Sequence, residues 1–239
     1  GGLITEGFCK YTEAVIMEKL FGKQILWQLN EQANNRYFSG RSYAEVEEVP
    51  IYLENGQGHL IYGKACMAFT ALKELIGTDT LNKAIKTLLN THKNDVEPKV
   101  TSLDLLEALY EVSPKEYHKL IDDWFKRIIT YDLTIENVET IKLNSNEFKT
   151  KLTVKAKRFE QQIGGKMLEI AIDEPIQIAL FNDHPSIAKQ ENTLYLKHHL
   201  INKSSQEITI ITKNKPSFAA IDPYGTRVEE RRVDNLKQL

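Results

Sequence analysis

Two short stretches of the sequence place chemically useful side chains near the start of predicted helices. The first, Thr5-Glu6-Gly7-Phe8, carries a carboxylate, and the second, Tyr62-Gly63-Lys64-Ala65, carries a phenol. A carboxylate can bind a cation, and a phenol can donate a hydrogen bond to an oxygen that gains negative charge. Taken singly, neither indicates a reaction. Glu6 fits a helix-surface pair with Lys10, and the phenol fits a partly buried ring whose hydroxyl is satisfied.

Helical periodicity positions both side chains. The first stretch belongs to a predicted helix that ends at Gly22, because a glycine just past the last apolar residue is a common helix stop. Its apolar stripe consists of Ile4, Phe8, Tyr11 and Val15. The second stretch belongs to a predicted helix that begins near Leu60 and ends at Gly77. Each candidate residue therefore lies near the start of its own helix.

The two stretches together resemble the zinc aminopeptidases of the aminopeptidase N family, the gluzincins. In that family a Glu-Gly-Phe-Ala segment carries the third zinc ligand, and a later Tyr-x-Lys-Gly segment carries a catalytic tyrosine. Here Tyr62 follows Glu6 by 56 positions. The resemblance implies that Glu6 is a Zn²⁺ ligand and Tyr62 the catalytic phenol. Thr5 stands where most members have Asn, and Ala65 where most have Gly.

Further segments are similar to the aminopeptidase domain that some bacteria append to an ABC-type permease. They are Phe38–Ser42, Ile76-Gly77, Thr101–Leu105, Leu120–Phe125 and Asp222-Pro223-Tyr224. This similarity spans essentially the whole chain. It implies a peptide substrate, makes a permease region of the same polypeptide a candidate partner, and leaves a membrane-anchored parent open.

The family signature H-E-x-x-H does not occur in this sequence. His59, His92, His118 and His184 stand alone, and His198 and His199 are adjacent. The resemblance implies that the missing motif precedes Gly1. We therefore expect a C-terminal piece of a zinc aminopeptidase, cut inside its catalytic domain. Because zinc hydrolases use three protein ligands, we expect this piece alone to be inactive and to hold no catalytic Zn²⁺.

The composition is that of a globular protein. Apolar residues make up 41%, charged residues 27%, and the formal net charge is −2, which argues against a nucleic-acid partner. The two cysteines, Cys9 and Cys66, are predicted to be small buried side chains, with a disulfide between them left open. No stretch approaches the roughly 20 apolar residues that span a bilayer, so a soluble piece is predicted.

The first part of the chain is predicted to be helical, with an irregular connection over residues 39–59. A short strand is expected at Ile51–Leu53, and Arg41 and Glu54 either meet substrate or are solvated. Asn94-Asp95 and Pro98 are expected to end a helix that begins at Thr78 or Asp79. Ser113, followed by Pro114 and Glu116, is expected to cap another helix.

The hydrophobic period changes from 3.6 to 2 near Thr130-Tyr131-Asp132, which predicts a domain boundary. Short alternating segments then follow one another at regular spacing, a pattern typical of an antiparallel β-sandwich. The predicted fold class is α+β. Residues 1–130 form the all-helical C-terminal part of what the resemblance implies is a thermolysin-like catalytic domain, residues 131–225 the sandwich, and residues 226–239 a solvated charged tail.

Two other classes of function fit the same pattern. The chain could be a non-catalytic binding or scaffold module of a pseudo-peptidase or transporter-associated protein. An upstream H-E-x-x-H would favour the enzyme, and its absence the scaffold. The third reading is a carbohydrate-binding β-sandwich, which has only its fold in its favour.

Overall fold

The computed structural model describes residues 1–94 and 99–239 and has an α+β fold, in which helices precede antiparallel sheets. The chain divides into two compact units. The helical unit comprises Gly1–Ile16, Gln32–Ile129 and Gln161–Lys166, and the sheet unit comprises Met17–Glu31, Thr130–Glu160 and Met167–Leu239.

The helices follow the predicted order, with two short irregularities. A π-helical turn at Leu3–Gly7 leads into α1 (Phe8–Phe21), which is followed by α2 (Ile25–Ser42). A second π-turn at Leu60–Lys64 leads into α3 (Ala65–Ile76). The remaining helices are α4 (Thr78–His92), α5 (Ser102–Val112) and α6 (His118–Phe125). Within the described ranges, every helix is too short or too polar to cross a membrane.

Helix α3 is the centre of the helical unit. Its residues from Ala65 to Lys73 are all buried, as expected for a helix that is apolar on nearly every side. Phe69 is fully buried, and its ring centroid lies 5.5 Å from that of Phe8 and 5.3 Å from that of Phe125. Burying one such ring contributes roughly 1.5–3 kcal/mol, so Phe69 anchors the elements around it.

Three local predictions meet different outcomes. The strand predicted at Ile51–Leu53 is wrong: the segment is a 3₁₀ turn, in which the Leu53 N–H donates to the Pro50 carbonyl at 2.9 Å. The cap predicted at Ser113 is also wrong, because its hydroxyl has no hydrogen-bond partner among the described residues and Pro114 precedes a 3₁₀ turn. The stop predicted at Asp95 and Pro98 lies outside the described residues.

The sheet unit contains two antiparallel sheets. In the first, β2 (Glu147–Gln161) pairs with β1 (Ile129–Asn144), with β3 (Met167–Ile170) and with β6 (Ser205–Thr212). In the second, the order is β5 (Thr193–Ile201), β4 (Glu174–Phe181), β7 (Phe218–Ile221) and β8 (Leu236–Gln238).

The two sheets pack face to face as a sandwich. Leu152 and Val154 on β2 are fully buried, whereas the alternate Lys151 and Lys155 are exposed. Buried charges also link the sheets, because Glu174 on β4 pairs with Arg158 on β2 at 3.3 Å. The period-2 alternation therefore identified the inward face correctly.

The prediction of a solvated C-terminal tail is wrong. Arg227 and Glu229 are 3% and 1% exposed. The Arg227 side chain pairs with Glu174 at 3.0 Å, and the Glu229 carboxylate accepts a hydrogen bond from Asn235 at 2.7 Å. Residues Leu236–Gln238 form β8, which pairs with β7. Arg227 and Glu229 are buried because each finds a partner within the sheet unit, whereas Glu230 and Arg231 are exposed.

Candidate active site around Glu6 and Tyr62

Both candidate residues lie in π-helical turns. Glu6 belongs to the turn Leu3–Gly7, and Tyr62 belongs to the turn Leu60–Lys64. A π-turn holds one more residue than a turn of α-helix, which redirects its side chains, and such turns occur frequently at functional sites. The sequence periodicity gave no sign of either turn.

The first π-turn is capped by Glu54. One of its carboxylate oxygens accepts the N–H of Leu3 at 2.8 Å, and the other accepts the N–H of Gly56 at 3.0 Å. The first N–H groups of a helical segment have no partner within it, so a carboxylate there is a stabilising acceptor. The sequence left open whether Glu54 meets substrate or is solvated. In the structure, Glu54 supports the turn that carries Glu6.

The two π-turns bring Glu6 and Tyr62 together. A hydrogen-bonding interaction with the Glu6 carboxylate is the main cause of a raised pKa at Tyr62, followed by desolvation and by the charge of Glu6. Both side chains are half-buried. The phenol therefore remains protonated at neutral pH and can act as a hydrogen-bond donor.

Arg36 and Cys9 both lie near Tyr62. The guanidinium carbon of Arg36 is 4.4 Å from the ring centroid of Tyr62, a cation–π distance. Cys9 contributes to the raised pKa of Tyr62, and it is exposed. The prediction that Cys9 is buried is therefore wrong, because it lies on a face of its helix that the described residues leave uncovered.

Gly63 lets the second π-turn approach α2 closely. A Cβ atom at Gly63 would lie 2.9 Å from the Ala33 carbonyl oxygen and 3.0 Å from the Tyr37 backbone nitrogen. Backbone atoms cannot move aside as a flexible side chain can, so only glycine fits this approach. The position next to Tyr62 is thus fixed by a backbone contact.

A buried charge network lies on the other side of the second π-turn. The Glu48 carboxylate accepts hydrogen bonds from the Tyr37 hydroxyl and from Lys64 Nζ, each at 2.9 Å, and Arg41 Nε lies 3.1 Å from it. The side chains of Glu48 and Lys64 are 3% exposed. Burial lowers the pKa of Lys64, with the charge of Glu48 opposing that shift.

Sequence reasoning missed this network. The sequence left open whether Arg41 meets substrate or is solvated. In the structure, Arg41 pairs with Glu48. Glu48 gave no signal because it lies in an irregular segment between α2 and the second π-turn. Lys64 gave a weak signal, because it is the lysine of Tyr-x-Lys-Ala in an otherwise apolar stretch. A lysine in such a stretch needs a partner.

His59 stands directly before the second π-turn. Its pKa is lowered, chiefly by burial, with the cations Lys64 and Arg41 adding to the shift and Glu48 opposing it. Its Nε2 atom is buried and has no hydrogen-bond partner in the part of the chain that the structure describes. The ring is therefore held neutral beside the Glu48 network.

The chain offers Glu6 as a metal ligand without a complete ligand set. Among residues 1–94 and 99–239, no group of three or more His, Cys, Asp or Glu could hold a metal ion. Glu6 is half-buried in a turn that packs against the turn of Tyr62, and a carboxylate oxygen is a ligand type that zinc accepts. Cys66 does not supply a nucleophile, because burial raises its pKa to about 11.

Comparison with protein-family models finds no match to this chain. Comparison with curated proteins finds no match either.

Proposed function

We propose that this chain contributes two residues to the active site of a zinc-dependent aminopeptidase, with Glu6 as a metal ligand and Tyr62 as a hydrogen-bond donor to the reacting carbonyl. The observation that carries the proposal is that the two π-turns pack against each other, with Glu6 close enough to Tyr62 to raise the pKa of its phenol. The order and spacing of the two motifs, which resemble those of the gluzincins, also support it.

Glu6 would provide an oxygen ligand. Catalytic zinc sites combine three protein ligands with one open position, and the remaining two would be the histidines of an H-E-x-x-H motif in further polypeptide. When bound, Zn²⁺ polarises a peptide carbonyl and lowers the pKa of a coordinated water. The first π-turn, which carries Glu6, is held by the cap at Glu54.

Tyr62 would stabilise the oxygen that becomes negative when the scissile carbonyl is attacked. A neutral donor fixed in advance costs little reorganisation at the moment of reaction. The Tyr62 hydroxyl is protonated at neutral pH and can serve as this donor. Removing one such donor typically lowers kcat by about 10²–10³-fold.

The test uses the complete polypeptide in which this sequence occurs, with aminoacyl-p-nitroanilides as substrates. We expect Tyr62→Phe to lower kcat by about 10²–10³-fold with little change in KM, because the contact forms mainly in the transition state. We expect Glu6→Ala to lose zinc in elemental analysis. Thr5→Ala, beside Glu6, is the matched control and should retain both zinc and activity.

Two outcomes would overturn the proposal. One is a complete polypeptide that has no H-E-x-x-H motif and releases no amino acid from the substrate. The other is full zinc content in Glu6→Ala together with unchanged kcat in Tyr62→Phe. Either result would favour the alternative of a non-catalytic binding or scaffold module.

A further inference from the structure

The charge network around Glu48 joins the turn that carries Tyr62 to helix α2. Lys64, the last residue of that π-turn, donates to Glu48 at 2.9 Å. Tyr37 on α2 donates to the same carboxylate, also at 2.9 Å. Glu48 itself lies in an irregular segment. The π-turn and α2 are therefore linked through a carboxylate that belongs to neither.

The depth of this ion pair argues for a role beyond stability. The Glu48 and Lys64 side chains are 3% exposed, so both charges have lost almost all contact with water. The attraction within a buried pair often only offsets the cost of that desolvation, and apolar side chains of similar volume can stabilise a fold equally well. The best-attested use of a buried polar contact is to specify one arrangement among several.

Two further contacts hold the same turn against α2. The backbone of Gly63 approaches so closely that a Cβ atom would lie 2.9 Å from the Ala33 carbonyl oxygen. The Arg36 guanidinium carbon lies 4.4 Å from the Tyr62 ring centroid. Residues 62 and 63 therefore contact α2 directly, and residue 64 is linked to α2 through Glu48.

We propose that Lys64 is a positioning residue for Tyr62, acting through its buried pair with Glu48 on the π-turn that Lys64 and Tyr62 share. The effect of Lys64 on catalysis rests on the proposed function. The effect of Lys64 on the geometry of the turn does not. A π-turn is a rare single-turn irregularity, so we expect its geometry to change when the contacts that hold it are lost. Such a change would alter the direction in which Tyr62 points.

The geometric claim can be tested on the 239-residue chain by NMR. Lys64→Met removes the ammonium, and Glu48→Gln combined with Lys64→Met removes both charges of the pair. In both variants we expect loss of the proton contacts between the Tyr62 ring and Arg36. We also expect at least about tenfold faster amide hydrogen exchange across Leu60–Lys64.

The matched control is Arg127→Met, which breaks an ion pair with the buried Asp123 elsewhere in the helical unit. This variant should keep the Tyr62–Arg36 contacts and the exchange rates of the turn. Wild-type contacts at Tyr62 in the double variant would overturn the inference. The double variant guards against simple unfolding, because it leaves no unpaired carboxylate at position 48.

The catalytic consequence is tested in the complete polypeptide. Lys64→Met should lower kcat by roughly 10–100-fold with little change in KM, because displacement of a catalytic group by about 1 Å has effects of this size. In a Tyr62→Phe background the same change should cause no further loss, because the two residues act as a unit. The double variant should recover stability without recovering kcat.

The possible results separate this inference from the proposed function. Losses that multiply in the Tyr62→Phe background, or recovery of kcat in the double variant, would show that Lys64 acts only through stability. If Tyr62→Phe itself leaves kcat unchanged, the proposed role of Tyr62 fails. The contacts of the Tyr62 ring by NMR then decide the inference on Lys64 alone.

Discussion

Each of the two units buries one carboxylate between two cations and a tyrosine, and the two clusters differ in what they hold. In the sheet unit, Glu174 pairs with Arg158 at 3.3 Å and with Arg227 at 3.0 Å, and the Tyr131 hydroxyl lies 3.3 Å from it. In the helical unit, Glu48 occupies the corresponding role between Lys64, Arg41 and Tyr37. The two clusters contain similar groups, but the backbone around them differs.

The Glu174 cluster lies among regular strands. Both of its arginines are at most 3% exposed, and they come from β2 and from the segment before β8. It joins parts of the sandwich that are far apart in sequence: Tyr131, Arg158 and Glu174 lie on strands, and Arg227 lies in the irregular segment before β8. We interpret it as a purely structural contact.

The Glu48 cluster holds a π-turn instead of regular strands. Its Arg41 is partly exposed, with 25% of the side chain accessible, and its lysine has a pKa that burial already lowers. A similar arrangement of charges can therefore stabilise a whole sandwich in one unit and a single turn in the other. Four predictions test this difference between the clusters.

The largest expected effect is that of Glu174→Gln. It leaves two buried arginines without their carboxylate, and arginine cannot lose its proton to relieve the cost. We expect a loss of roughly 3–5 kcal/mol in the free energy of unfolding, measured by urea denaturation. Glu48→Gln should cost clearly less, because Lys64 can deprotonate and Arg41 can turn to solvent. Equal losses would remove the distinction between the clusters.

The next effect is a pH dependence in the sheet unit. Burial raises the pKa of Glu229 to about 8, from an ordinary value of 4.5. Between these values the folded chain keeps a proton that the unfolded chain has lost, so stability falls as pH rises. The slope should approach roughly 1.4 kcal/mol per pH unit within the window from pH 4.5 to about 8. Glu229→Gln should remove this slope, and a slope that persists would contradict the assignment.

A third effect separates two glycines of the helical unit. At Gly63 a Cβ would lie 2.9 Å from a backbone oxygen, whereas at Gly7 its nearest neighbour would be a Phe69 ring carbon at 3.4 Å. Gly63→Ala should therefore destabilise the chain by about 1–3 kcal/mol, as overpacking does. Gly7→Ala is the control, expected to be neutral or to stabilise by up to about 1 kcal/mol. Similar unfolding curves for the two variants would argue against the close approach at Gly63.

The smallest effect is a pH dependence of opposite sign in the helical unit. The pKa of His59 is lowered in the folded chain, mainly by burial, so the unfolded chain binds the proton first on acidification. The contribution of a neutral His59 is fully present above the unfolded pKa of 6.5 and is lost as pH falls below it. On acidification, amide hydrogen exchange near Leu60 should therefore be faster than the intrinsic pH dependence of the exchange reaction predicts. His59→Phe should abolish this additional exchange. The same additional exchange in the variant would assign it to another group.

Much of the fold could be read from the residues in order. The apolar stripe through Phe8 and Tyr11 identified a helix correctly, and the alternation around Leu152 and Val154 identified the inward face of β2. Both patterns depend only on neighbours within a few positions. The cap expected at Ser113 failed because Ser113 instead ends α5, where its N–H donates to the Leu109 and Tyr110 carbonyls.

The candidate site could be predicted in part. Motif order singled out Glu6 and Tyr62, which the structure brings into contact. Arg36, Glu48 and the two π-turns were not predicted. A π-turn has no composition of its own, and a carboxylate in an irregular segment has no period that could reveal its partner.

Short-range hydrophobic period was enough to predict most helices and strands, and the resemblance of two motifs to the gluzincins singled out Glu6 and Tyr62. The fold, in contrast, buries Arg227 and Glu229 after Thr226 and brings Lys64 to Glu48. It also decided that Glu6 and Tyr62, 56 positions apart, are neighbours. The physical reason is that charge burial is favourable only when a partner is brought close, and a partner distant in sequence is supplied by the fold.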